Sequence, residues 1–139
     1  MTDQIKSKFT GGMSFESEIN GHKIIVDADE MFGGQQKGPL PKPLLLKSLS
    51  GCTGMDVLSL LKKMRVEHKD FSIEVEGKLA EEHPKFYTEI HLTYTIRVKP
   101  EDHAKVTKAV ALSQEKYCGV SYMLSKSSKL SYEINFQEF

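Results

Sequence analysis

The sequence predicts an α+β fold in which segregated helices pack on antiparallel β-sheet, and three observations carry that prediction. Apolar residues alternate with polar ones on both sides of Asn20-Gly21, and again along Phe71–Val75 and Ile90–Val98. A stretch rich in apolar residues and free of proline runs from Leu44 to Arg65. After Pro100, Val106, Ala109, Val110 and Tyr117 fall on one face at helical spacing, before a last alternating run of Leu130, Tyr132, Ile134 and Phe136. The order hairpin, long helix, hairpin, helix, strand belongs to the α+β class.

The first hairpin spans Met13 to Val26, because Asn-Gly supplies the two positive φ angles of a type I′ turn. From Asp27 to Pro43 the chain holds Gly33-Gly34, Gly38-Pro39 and Pro41, which punctuate regular structure and predict a long surface loop. Loops of that length are uncommon in compact domains unless they line a site or an interface.

Pro43 suits the first turn of a helix, where its missing N–H costs nothing. The helix that follows to Arg65 would be about 33 Å long. Its apolar residues cover most of the circumference, with no Lys, Arg or Glu between Lys47 and Lys62. Such a helix must be buried on several sides, and a chain this short needs a second copy to cover it. The second hairpin turns through Glu81-Glu82-His83-Pro84-Lys85, and Cys118-Gly119 interrupts the later helix before a short segment, Val120 to Leu124.

Composition narrows the function classes. The 139 residues, read as one domain over 1–139, carry 19 Lys plus Arg against 19 Asp plus Glu. A chain of this length buries about two-thirds of its unfolded surface, enough for a core without disulfides or structural metal. Zero net charge argues against nucleic acid and anionic membranes as partners, since both select a basic surface. Met1 to Lys8 contain no apolar core of a secretory signal, and Lys47, Asp56, Lys62 and Lys63 interrupt the longest apolar stretch, so a cytoplasmic protein without a membrane span is expected.

The chemical resource is two cysteines, Cys52 and Cys118. In a reducing compartment a static bridge is not expected, and their wide separation matches no compact zinc motif. His22, His68, His83, His91 and His103 show no pairing at metal-ligand spacing. No metal and no cofactor is therefore expected. Cys52 lies between Gly51 and Gly54 within the predicted helix, where each glycine costs about 1 kcal/mol relative to alanine and implies close approach of another element. Asp56 stands one helical turn beyond Cys52. If a helix begins after Cys118, its free N–H groups would stabilise a thiolate there. The residues alone leave two readings open, a pair of inert buried thiols and a reactive pair.

Gly38-Pro39-Leu40-Pro41, Leu44-Leu45-Leu46, Ser50-Gly51-Cys52-Thr53-Gly54-Met55-Asp56-Val57 and Leu112-Ser113-Gln114-Glu115-Lys116-Tyr117-Cys118 together resemble the family of OsmC and the organic hydroperoxide resistance protein Ohr, in its OsmC-like branch. The resemblance spans essentially the whole chain. It implies an intertwined homodimer with the long helix buried centrally and two sites at the subunit interface. It also implies a cysteine-based peroxidase in which Cys52 attacks a small organic hydroperoxide and becomes a sulfenic acid, and Cys118 condenses with it to a disulfide. A dithiol reductant, such as a lipoyl-carrying protein, would restore both thiols.

The family's activating Arg and Glu have no counterpart at the expected places. The only arginines are Arg65 and Arg97, outside the first hairpin and loop, and the Glu position falls at Lys42 or Pro43. Lys42, or a residue of the 27–43 loop from the second copy, would then support the thiolate. The alternative is a weakly reactive or non-enzymatic dimer that binds an apolar ligand or senses oxidants.

Overall fold

A computed structural model describes all residues from Met1 to Phe139. The chain forms two compact units, 1–45 and 46–139.

The first unit is built on a three-stranded antiparallel sheet of β1 (Lys8–Phe9), β2 (Phe15–Ile19) and β3 (His22–Val26), in that order. The predicted turn is present, with Asn20 at φ 50° and Gly21 at φ 82°. Both angles positive is the type I′ geometry whose twist matches the flanking strands. The two-residue strand β1 has no alternating run long enough to declare itself.

The 27–43 loop has internal order. A 3₁₀ turn occupies Glu30–Phe32. The buried Asp27 carboxylate accepts backbone N–H bonds from Ala28 at 2.8 Å, Gln35 at 3.2 Å and Lys37 at 3.1 Å. These bonds, that from Ala28 foremost, hold its pKa below the usual carboxylate value. Asp27 thus provides from one side chain the partners that a sheet would otherwise supply.

In the second unit β4 (Lys69–Leu79), β5 (Tyr87–Arg97) and β6 (Lys129–Gln137) form a sheet with β5 at its centre. β4 and β5 are the predicted antiparallel hairpin. β6, however, pairs with β5 in parallel, with Ile90 opposite Leu130 and Tyr94 opposite Ile134, so this sheet is mixed where antiparallel pairing was expected. The cause is connectivity: the chain leaves β5, crosses through two helices and returns in the same direction. Alternation reports which side chains share a face but is silent on strand direction.

Helix α1 (Pro43–Lys63) lies within the predicted bounds. From Leu46 onward it belongs to the second unit, and Leu49, Thr53, Val57 and Leu61, spaced four apart, are its buried stripe. Leu49, Val57 and Leu61 pack in one core with Ile90, Leu92, Tyr94 and Ile96 of β5. Each fully buried aliphatic side chain contributes about 1.5–3 kcal/mol. By length and composition alone α1 is apolar enough to cross a membrane. Its stripe is instead the core of the sheet unit. Within the single chain burial does not reach all round the helix: Met55 is 73% exposed and Leu58 41%, the apolar face for which a second copy is expected.

The predicted helix after Pro100 is resolved into three pieces. A 3₁₀ turn at Pro100–Asp102 leads into α2 (His103–Leu112), which continues as a π-helical turn over Ser113–Tyr117. Helix α3 (Gly119–Leu124) follows directly. Val106, Ala109 and Val110 are buried as their spacing predicts, whereas Tyr117 is exposed because the π turn rotates it off the face.

Candidate active site

Cys52 and Asp56 stand four residues apart on α1, which places both on one face of the helix. Cys118 closes the π turn, its amide bonding to the Ser113 carbonyl at 2.8 Å, and caps α3. The fold brings these three together: the two sulfurs and a carboxylate oxygen of Asp56 all lie within 4.8 Å of one another. Both cysteines are free thiols, Cys52 half-buried and Cys118 only 3% exposed.

A helix does begin after Cys118. Its sulfur accepts the Ser121 N–H at 3.3 Å, so the first turn of α3 points a backbone donor at the thiol. Cys52 sits in a different environment. Partial burial, with the neighbouring Cys118 and the negative charge of Asp56 adding to it, pushes its thiol above the ordinary value, and the Val120 N–H hydrogen bond opposes that rise. Neither arginine offsets it. Arg97 pairs with Asp70 at 2.7 Å, and Arg65 lies past the end of α1, whose last residue is about 16 Å along the axis from Cys52.

A chain of hydrogen bonds surrounds the thiols, and its direction follows from its end. Asp56 accepts from the Ser113 hydroxyl at 3.0 Å, and a carboxylate can only accept. Ser113 therefore accepts from Thr53 at 2.7 Å, and Thr53 accepts from Tyr94 at 2.7 Å. Tyr94 in turn accepts from the Gln114 amide at 2.7 Å, and the Gln114 carbonyl oxygen accepts from Ser121 at 3.1 Å. Every donor points the same way, from α3 through the sheet to the carboxylate beside Cys52. Such a chain polarises its members cooperatively and pins α1, β5, the π turn and α3 in one register.

Of these residues, the sequence marks Asp56 by its place one helical turn beyond Cys52, and the Ser113 hydroxyl donates to it. Thr53, Tyr94, Gln114 and Ser121 were missed. The available signal was polarity at inward positions: Thr53 and Tyr94 sit in apolar stripes and are fully buried. The two glycines differ. An added Cβ at Gly54 would sit 3.2 Å from Ile73 Cδ1, the predicted close approach, whereas one at Gly51 would meet nothing within 4 Å in the chain.

A thiol-bearing helix laid on a three-stranded sheet, with a second thiol that caps α3 brought close to the first, defines the class, and the chain belongs to the OsmC-like protein family, whose model matches residues 34–133. Among its relatives is protein YhfA of Escherichia coli K12, 34% identical over 134 residues that cover 94% of this chain and 97% of YhfA. A hypothetical protein from Aquifex aeolicus VF5 shares the fold at TM-score 0.81 and 34% identity, with 99% of each chain covered. An organic hydroperoxide resistance protein from Elizabethkingia anophelis has the same fold at TM-score 0.70 and 13% identity, again over 99% of each chain.

Proposed function

We propose that this protein is a thiol-dependent peroxidase that reduces small organic hydroperoxides. The observation that carries the reading is the Cys52–Cys118 pair, with both sulfurs inside 4.8 Å. Membership of a family with structural relatives named for organic hydroperoxide resistance supports it. The Cys52 thiolate attacks one peroxide oxygen, the O–O bond breaks, and the alcohol leaves after taking up a proton. The resulting sulfenic acid condenses with the Cys118 thiol, releasing water and forming the disulfide. Closing the sulfurs to about 2.05 Å needs a shift of no more than a few ångströms. A dithiol reductant then restores both thiols and leaves as its own disulfide.

The functional unit in this proposal is a homodimer. Gly51, Gly54, Met55 and Leu58 of α1 form a shallow groove of about 310 Å³ with Phe71 and Ile73, and a second copy seated there would bury the uncovered apolar face. The raised pKa of Cys52 favours the second reading, a weakly reactive thiol dimer that senses oxidants, unless Lys42 or a loop residue of the second copy supplies positive charge.

Cumene hydroperoxide added to the reduced protein separates the two. A peroxidase consumes peroxide with turnover in the presence of a dithiol and forms the Cys52–Cys118 disulfide within seconds; Cys52→Ser abolishes turnover. Cys52 reacting no faster than a small-molecule thiol would overturn the peroxidase reading.

A further inference from the structure

Three groups that ligate borderline-soft cations converge at one point although they come from two distant parts of the sequence. Cys52 and Asp56 project from consecutive turns of α1, and Cys118 arrives from the end of the π turn. We propose that in the reduced protein Cys52, Asp56 and Cys118 form a three-ligand site for one divalent cation of the zinc class.

The geometry is close to what such an ion demands. Zinc bonds of about 2.3 Å to sulfur and about 2.0–2.2 Å to carboxylate place tetrahedral ligand atoms about 3.6–3.8 Å apart. All three separations here are at most 4.8 Å, so an inward movement of about an ångström assembles the site. Two thiolates with one carboxylate select zinc or cobalt over magnesium and calcium, which take oxygen ligands. Supporting hydrogen bonds are already in place. Ser113 donates to Asp56 Oδ2 at 3.0 Å and orients the carboxylate, and the Ser121 amide donates to the Cys118 sulfur at 3.3 Å. Partners of this kind fix ligands before the ion arrives. The fourth position is left to water.

The same atoms cannot serve the ion and a disulfide. Oxidation that joins Cys52 to Cys118 removes two of the three ligands, so binding belongs to the reduced state alone. The site rests on the geometry of the thiols; whether hydroperoxide is the oxidant in the cell is a separate matter, and the test does not depend on it.

Cobalt(II) titrated anaerobically into the reduced full-length protein provides the readout through its thiolate charge-transfer band. Saturation at one ion per chain, with displacement by zinc, is expected. Asp56→Asn should weaken the affinity by about tenfold or more, the range seen for lost ligands and their supports. Cys52→Ser and Cys118→Ser should each lose at least half of the band. Wild type oxidised with diamide, which takes up two electrons and two protons as its hydrazine while every other side chain stays in place, should show no band until reduced again. That arm does not depend on the folding of any variant. The absence of a saturable band in the reduced protein, its persistence in the disulfide form, or Asp56→Asn affinity within twofold of wild type would each overturn the proposal. A protein that turns over hydroperoxide yet shows no band loses the metal site and keeps the peroxidase reading; the converse result does the reverse.

Discussion

The Thr53 hydroxyl meets the Tyr94 hydroxyl at 2.7 Å in the core of the sheet unit, with both side chains fully buried. Thr53 is the residue after Cys52, and Tyr94 stands at the centre of β5, so this bond sets where on the sheet the Cys52 turn of α1 rests. Because Thr53 also donates to Ser113, one hydroxyl links the strand to the π turn that delivers Cys118.

Thr53→Val keeps the shape and helix compatibility of the side chain but removes both bonds. It leaves the Tyr94 donor and the Ser113 acceptor without their partner in a dry core, a loss of about 2–3 kcal/mol. Urea denaturation should show that drop, whereas Thr53→Ser, which keeps the hydroxyl, should fall within about 1 kcal/mol of wild type. A Thr53→Val protein as stable as wild type would mean that the chain of hydrogen bonds does not hold the site together.

Where single residues report their own environment, the fold was legible. Asn20-Gly21 specifies a turn, Pro43 a helix start, and the alternation through Ile90, Leu92, Tyr94, Ile96 and Val98 a strand with one buried face, and each is present. Three features were not legible because they depend on which residues meet in the fold, which no residue's own type reports. The parallel entry of β6 is set by a crossover, the order of the 27–43 loop by three amides reaching one Asp27 carboxylate, and the Thr53–Ser113–Asp56 link by the packing of α1 on the π turn. At the site, the two cysteines stood out as rare residues, and Cys118-Gly119 marked the break where a helix begins. Tyr94 and Gln114 carried no such mark, since a tyrosine in a strand and a glutamine in a helix are ordinary until a partner is known.

The thiol chemistry of Cys52 should run toward alkaline pH. Its pKa lies above the ordinary value of 9.0, chiefly through burial, so the folded protein keeps the proton in a range where the unfolded chain loses it. The corresponding stability is present below about pH 9 and declines as pH rises through the folded value. Asp56→Asn removes a negative charge beside the sulfur, so the pH profile of iodoacetamide alkylation at Cys52 should move to lower pH. A profile that stays in place or moves upward would show that Asp56 does not act on the thiol electrostatically.

Met55 tests the dimer without touching the thiols. It is 73% exposed in the chain and lines the same shallow groove as Gly51 and Leu58, so nothing within one copy accounts for a run of apolar side chains there. Met55→Glu would place a carboxylate in the proposed interface with no partner for its charge, which weakens association by about a hundredfold or more. Within one chain the same substitution is a surface change and should cost under about 0.5 kcal/mol. Sedimentation equilibrium at micromolar concentration should therefore find wild type as a dimer and Met55→Glu as a folded monomer. A wild-type monomer would remove the second copy from the proposal, and a Met55→Glu dimer of undiminished affinity would place the interface on another face.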